Sequence, residues 1–287
     1  MSSLDHKIDF AVVLSVTSAN PNGDPLNGNR PRQNYDGYGE ISDVALKRKI
    51  RNRLQDMGEA IFVQSNDRKT DEYGSLRERA AGNSKLSEIL KPKSVSGDEF
   101  AKVACQEWID VRSFGQVFAF KGTSSGSGVS VGVRGPVSIH TARSVDPIDI
   151  TSMQITKSVN SEPGSDRGSD TMGMKHRVDF GLYVFYGSIN TQLAEKTGFT
   201  NEDADKVKEA LLTLFENDLS SARPEGSMEV HKVYWWEHDS KLGQYSSAKV
   251  HRSLQIRSKK EEPREFEDYA VEVYELDGLK VEVLDGR

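Results

Sequence analysis

Cysteine occurs once among the 287 residues, at Cys105. A single thiol excludes a disulfide framework within the chain and any multi-cysteine zinc site. Within EFAKVACQEW it reads as a small core hydrophobe rather than a nucleophile. Long apolar runs are missing too. None approaches the ~20 residues of a membrane span, and the N-terminal segment lacks the apolar stretch of a secretory signal. Cytoplasmic residence and no membrane partner are therefore expected. Catalytic signatures are equally sparse: there is no G-x-S-x-G, no H-E-x-x-H, no Gly-Lys-Ser/Thr phosphate loop and no G-x-G-x-x-G at a strand-to-helix turn. The expectation is a protein without an active site, a metal or a cofactor.

What remains is a globular composition, 36% hydrophobic and 29% charged, with a net charge of −6. The acidity is unevenly placed. Residues 41–57 carry five bases against two acids, residues 112–177 eight against five, and residues 259–287 five against ten. The basic segments are thus free to meet phosphate although the whole chain is acidic.

The pattern opens with a strand over 8–17, IDFAVVLSVT, followed by ANPNGDPLNGNRPRQ. Asn, Gly and Pro at this density make a shaped loop, neither strand nor helix. Asn20, Asn22 and Asp24 alternate as calcium-loop ligands do, but Pro25 and Pro31 stand where that loop needs Gly and Glu. ISDVALKRKIRNRLQDMG predicts a helix with Leu46, Ile50, Leu54 and Met57 on one stripe and Lys47, Arg48 and Arg51 beside it. Five bases without an acid from 47 to 53 make poor intrahelical pairing, which fits a solvated helix face and an anionic ligand equally.

A polar insertion is expected over 65–98, a helix over 98–108, and a strand at RSFGQVFAFKG, whose aromatics compare loosely with those that stack bases in RNA-recognition motifs. Strands over 148–157 and 176–187 flank a long Gly/Ser-rich segment and predict a digit projecting from the body. There Met172 and Met174 stand beside Lys175, His176 and Arg177, a combination suited to wedging between bases. A helix near 200–222 and strands near 228–237 and 269–276 complete an α+β pattern with an antiparallel sheet.

The ordered set NPNGDP, SDVALKRKIRN, DVRSFGQVF, VRGPV, ARSVDPI and GMKHRVDFGLY resembles the repeating backbone subunit of type I CRISPR surveillance complexes, called Cascade, most of all its subtype I-C form. The resemblance covers residues 8 to about 187. It implies an RNA-recognition-motif (ferredoxin-like) palm as one domain over 1–287, a finger-like insertion at 65–98 and a thumb at 148–178. It further implies copies stacked head to tail along CRISPR guide RNA, other Cascade subunits as partners, and target DNA engaged through the guide. The residues it assigns to RNA are Asn22, Lys47, Arg48, Arg51, Arg112 (as a strand start), Gln116, Arg134, Lys157, Met172, Met174, Lys175, His176 and Arg177. Two rivals stand beside this reading. One is a metal-dependent ribonuclease of the same superfamily, using Asp24, Asp36, Asp43 or Asp179; the other is an RNA binder that forms no filament.

Overall fold

The computed structural model describes residues 3–90, 96–121, 128–156 and 172–287. Strand β1 (Ile8–Ala19) is followed by a small hairpin of β2 (Gly23–Asp24) and β3 (Arg30–Pro31), then β4 (Tyr38–Ile41) and helix α1 (Asp43–Asp56). Helices α2 (Leu76–Gly82), α3 (Ser84–Leu90), α4 (Gly97–Glu107) and α5 (Ile109–Phe114) lead into the hairpin β5 (Gly115–Phe120) and β6 (Val129–Arg134). Three short strands, β7 (Val137–Ile139), β8 (Ala142–Pro147) and β9 (Ile150–Thr156), then run in succession along the 18-residue β10 (Met172–Ile189). The chain continues through α6 (Thr191–Thr197), α7 (Asn201–Leu212), β11 (Met228–Glu237) and α8 (Ser247–Ser253). Strands β12 (Leu254–Ser258), β13 (Tyr269–Val273) and β14 (Val281–Asp285) end it.

The large sheet has the order β14-β11-β1-β10-β8-β4, antiparallel at every step. Its alternation sorts β1 between two cores. Phe10, Val12, Leu14 and Val16 pack with Tyr183, Phe185, Val233 and Trp235 under α1 and α7. Ala11 and Val13 pack on the opposite face with Leu182, Tyr234 and Trp236, beneath Val250 of α8, Leu254 of β12 and Tyr269 of β13. The sheet is therefore covered on both faces.

A second, separate core gathers Phe62, Ala80, Leu86, Phe100, Cys105, Trp108 and Phe118. The polar insertion expected at 65–98 is thus part of a larger unit that extends to β6 and has aromatics of its own. The comparison of RSFGQVFAFKG with a base-stacking strand fails here. Strand β5 pairs with β6 outside the large sheet, and Phe118 is buried between Phe62 and Phe100. The segment before it is also a helix, so Arg112 lies in α5 and the strand begins at Gly115. Gly115 has φ +80°, and a Cβ there would lie 2.3 Å from the Val133 carbonyl oxygen, so only glycine closes this turn. The helix expected near 200–222 stops at Leu212, and the strands expected over 148–157 and 176–187 occupy 150–156 and 172–189. Among the described residues no helix is long and apolar enough to cross a membrane.

Candidate nucleic-acid interface

The turn formers of the opening loop build the β2–β3 hairpin. Asp24 caps the turn by accepting from the Leu26 amide at 3.3 Å, and Gly28 and Asn29 both take left-handed φ near 60°. Leu26 at the tip is 98% exposed. Asn22 is occupied inside the fold: its side-chain oxygen accepts from the Ser42 amide at 2.9 Å, fixing the residue that caps α1. Asn22 thus has a structural role through its side-chain oxygen.

The same hairpin meets the base of an exposed ribbon formed by β9 and the first part of β10. The Ser152 hydroxyl accepts from Arg30 Nη1 at 2.9 Å and lies 2.8 Å from His176 Nδ1, within hydrogen-bonding distance. Directly opposed residues share a face in an antiparallel pair. Met172, Met174 and His176 stand opposite Thr156, Gln154 and Ser152, whereas Lys175 and Arg177 stand opposite Met153 and Thr151 on the other side. The methionines and the two cations, read in sequence as one cluster, are thus separated onto two faces. Met172 is 66% and Met174 55% exposed. Lys175 is exposed, and Arg177 lies 3.5 Å from Asp179. Lys157 falls outside the described residues. Of the twelve large hydrophobics exposed among the described residues, six lie on this ribbon or the loops at its base: Leu26, Tyr35, Met153, Ile155, Met172 and Met174. Alternation within the strands could have flagged Met153 and Ile155. Arg30 gave no local signal, because its position depends on a contact 122 residues away.

The basic helix departs most from expectation. Its bases lack acids within the run but find partners at the start of the helix and elsewhere in the fold. Arg51 Nε donates to buried Asp110 at 3.0 Å with its guanidinium over Phe114, and Arg48 donates to the Val63 carbonyl at 2.6 Å. Arg53 pairs with Glu216 at 2.6 Å, and Lys47 with Asp43 at 2.9 Å. Lys49 is buried against Asp218, and burial pushes its ammonium down to about 8 against the pull of that carboxylate. Arg112 grips Asp203 through two nitrogens at 3.0 and 2.7 Å, and Asp203 also forms the capping box of α7. Arg48, Arg51 and Arg112 are therefore internal braces, and Lys47 is held in a half-exposed pair.

Gln116 and Arg134 lie elsewhere. The Gln116 side-chain amide donates to the Val117 carbonyl at 3.0 Å, and Arg134 is exposed at the end of β6. Val137, just beyond, pairs with Ile189, fifteen residues along β10 from Met174. At about 3.3 Å per residue these sites are about 50 Å apart along the strand. One copy of the chain carries cations at both ends of its longest strand.

The profile of a family described as CRISPR-associated protein Cas7 matches residues 6–274. A CRISPR-associated protein Cas7 of Haloferax volcanii is 24% identical over 285 residues, covering 94% of this chain and 82% of its own length. Two solved structures are similar. One, a CRISPR RNA-guided surveillance complex in a pre-nicking state, gives TM-score 0.49 at 16% identity, covering 80% of this chain and 78% of that one. The other, a CRISPR RNA-guided surveillance complex, gives 0.46 at 17%, covering 80% and 68%. With nearly the whole chain spanned by one profile, from the strand that opens the sheet to the end of β13, this protein belongs to the CRISPR-associated protein Cas7 family.

Proposed function

We propose that this protein is a non-catalytic, guide-RNA-binding backbone subunit of a CRISPR surveillance complex of the Cascade kind, nearest the I-C subtype, stacked head to tail along the guide and presenting it to target DNA. Its neighbours are copies of itself and other subunits of the complex, in the cytoplasm. The order β11-β1-β10-β8, with α1 and α7 as crossovers on one face, supports reading the core as an RNA-recognition-motif palm. The thumb is the β9–β10 ribbon, and the finger-like insertion is the unit with the second core.

The observation that carries this reading is the concentration of exposed apolar and cationic side chains on a ribbon that projects from a sheet already covered on both faces. An RNA-recognition motif ordinarily stacks bases on its open sheet face. Here α8 and the β12–β13 hairpin occupy that face, so bases must be met elsewhere, and Met172 and Met174 with His176 and Arg30 form the surface fitted to it. Three of the four carboxylates considered for a nuclease have other partners: Asp24 caps a turn, Asp43 pairs with Lys47, and Asp179 accepts from Thr151 at 2.7 Å. Expressed together with a CRISPR guide RNA, the chain should purify as a large particle with a high 260/280 absorbance ratio. A monomer with a protein-only ratio would contradict the reading.

A further inference from the structure

We infer that the groove between the inserted unit and α6 is a phosphodiester-binding site, about 50 Å along β10 from the ribbon. This inference rests on the RNA-binding reading and adds residues that the sequence did not suggest. The groove, of about 590 Å³, brings together Lys102 of α4, Arg134 of β6 and Lys196 and Thr197 of α6. All three cations are exposed, and none forms an ion pair among the described residues, in contrast to Lys47, Lys49, Arg51 and Arg53 of α1. Two carboxylates also line the groove. Glu195 is engaged by Lys241, and Asp98 alone remains to oppose three positive charges.

The second observation is Thr197. It is 6% exposed, lines the groove, and its hydroxyl has no hydrogen-bond partner among the described residues. A buried hydroxyl without a partner is costly unless something supplies one. Arg, Lys and Thr side chains together are the donors that hold backbone phosphates without reading bases. The volume suits one or two nucleotide units. The site also straddles two cores: Lys102 and Arg134 belong to the inserted unit, whereas Lys196 and Thr197 belong to the body. A bound phosphate would tie one to the other.

The test is fluorescence anisotropy of the full chain with a labelled thirty-nucleotide polyuridine RNA over a series of KCl concentrations. Lys102→Glu with Lys196→Glu should weaken binding about tenfold at moderate salt and lower the slope of log K on log salt by about 1.4, at roughly 0.7 per lost contact. Thr197→Val should weaken binding severalfold with the slope unchanged, because it removes a donor and no charge. Circular dichroism melts of each variant confirm that folding is intact, and Lys102→Gln with Lys196→Gln serves as a milder pair. Wild-type binding with unchanged affinity and slope in both lysine pairs overturns the groove and leaves the RNA-binding reading standing. No binding by the wild type overturns both.

Discussion

Arg51 Nε lies 3.0 Å from Oδ2 of Asp110, a carboxylate that also accepts from the backbone amides of Phe62 and Val63 at 2.7 and 3.0 Å. One fully buried side chain thus joins α1, in the first core, to the loop and helix that open the second. Removing the guanidinium leaves a buried charge held by two amides alone.

Arg51→Met should therefore destabilise the protein by about 3 kcal/mol, lowering Tm by roughly 5–10 °C. Lys49→Met should cost under about 1 kcal/mol, since Arg223 still pairs with Asp218 at 3.1 Å and a buried ion pair often exchanges for apolar packing without loss. Thermal melts of the two variants check the contrast. Equal losses would show that the two pairs are not distinguished by their remaining partners.

The two faces of the ribbon should respond differently to RNA. Met172→Ser with Met174→Ser removes apolar contact and should weaken binding by about 1–3 kcal/mol without changing the salt slope. Lys175→Glu with Arg177→Glu should lower the slope by up to about 1.4. Identical effects of both pairs on affinity and slope would contradict a division of labour between the faces.

These two cases also show what the sequence could and could not tell. The strand alternation of β1, the stripe of α1 and the strands on either side of the long polar segment were legible because each depends on local periodicity; that segment itself, residues 157–171, lies outside the described residues. The partners of α1 were not: Asp110, Asp218 and Glu216 lie tens to more than a hundred residues away, and a run without intrahelical acids looks the same whether its partners are protein or RNA. The second core was hidden for a similar reason. Its apolar residues are spread thinly between 62 and 129, and they become a cluster only when α2–α5 fold against β5. The separation of Met174 from Lys175 was implicit in a period of two, but only once the segment was known to be strand rather than loop.

Acid should weaken the fold before carboxylates titrate. His251 Nε2 lies 3.0 Å from the Gly187 carbonyl oxygen with its ring stacked on Tyr186, facing Asp9, His140 and Lys7. Burial holds its pKa below the ordinary value near 6.5, against the pull of Asp9. The unfolded chain therefore binds more protons there, and stability present above about pH 6.5 declines as pH falls through it. Burial lowers His231 likewise. Tm at pH 5.5 should be below that at pH 7.5, and His251→Gln should reduce the difference. A fall unchanged by that substitution would assign the effect to other groups.

Incubated with single-stranded RNA and magnesium or manganese, the purified chain should leave the substrate intact. Cleavage abolished by Asp24→Ala, Asp36→Ala, Asp43→Ala or Asp179→Ala would establish the ribonuclease alternative.

The central claim is repetition along RNA, and particle mass against RNA length tests it most directly. Light scattering of the 31.9 kDa chain with single-stranded RNAs of about thirty and sixty nucleotides should give multi-copy particles, with the longer RNA holding about twice as many copies. A particle holding one copy of the chain at both lengths, or a copy number indifferent to RNA length, would contradict the account.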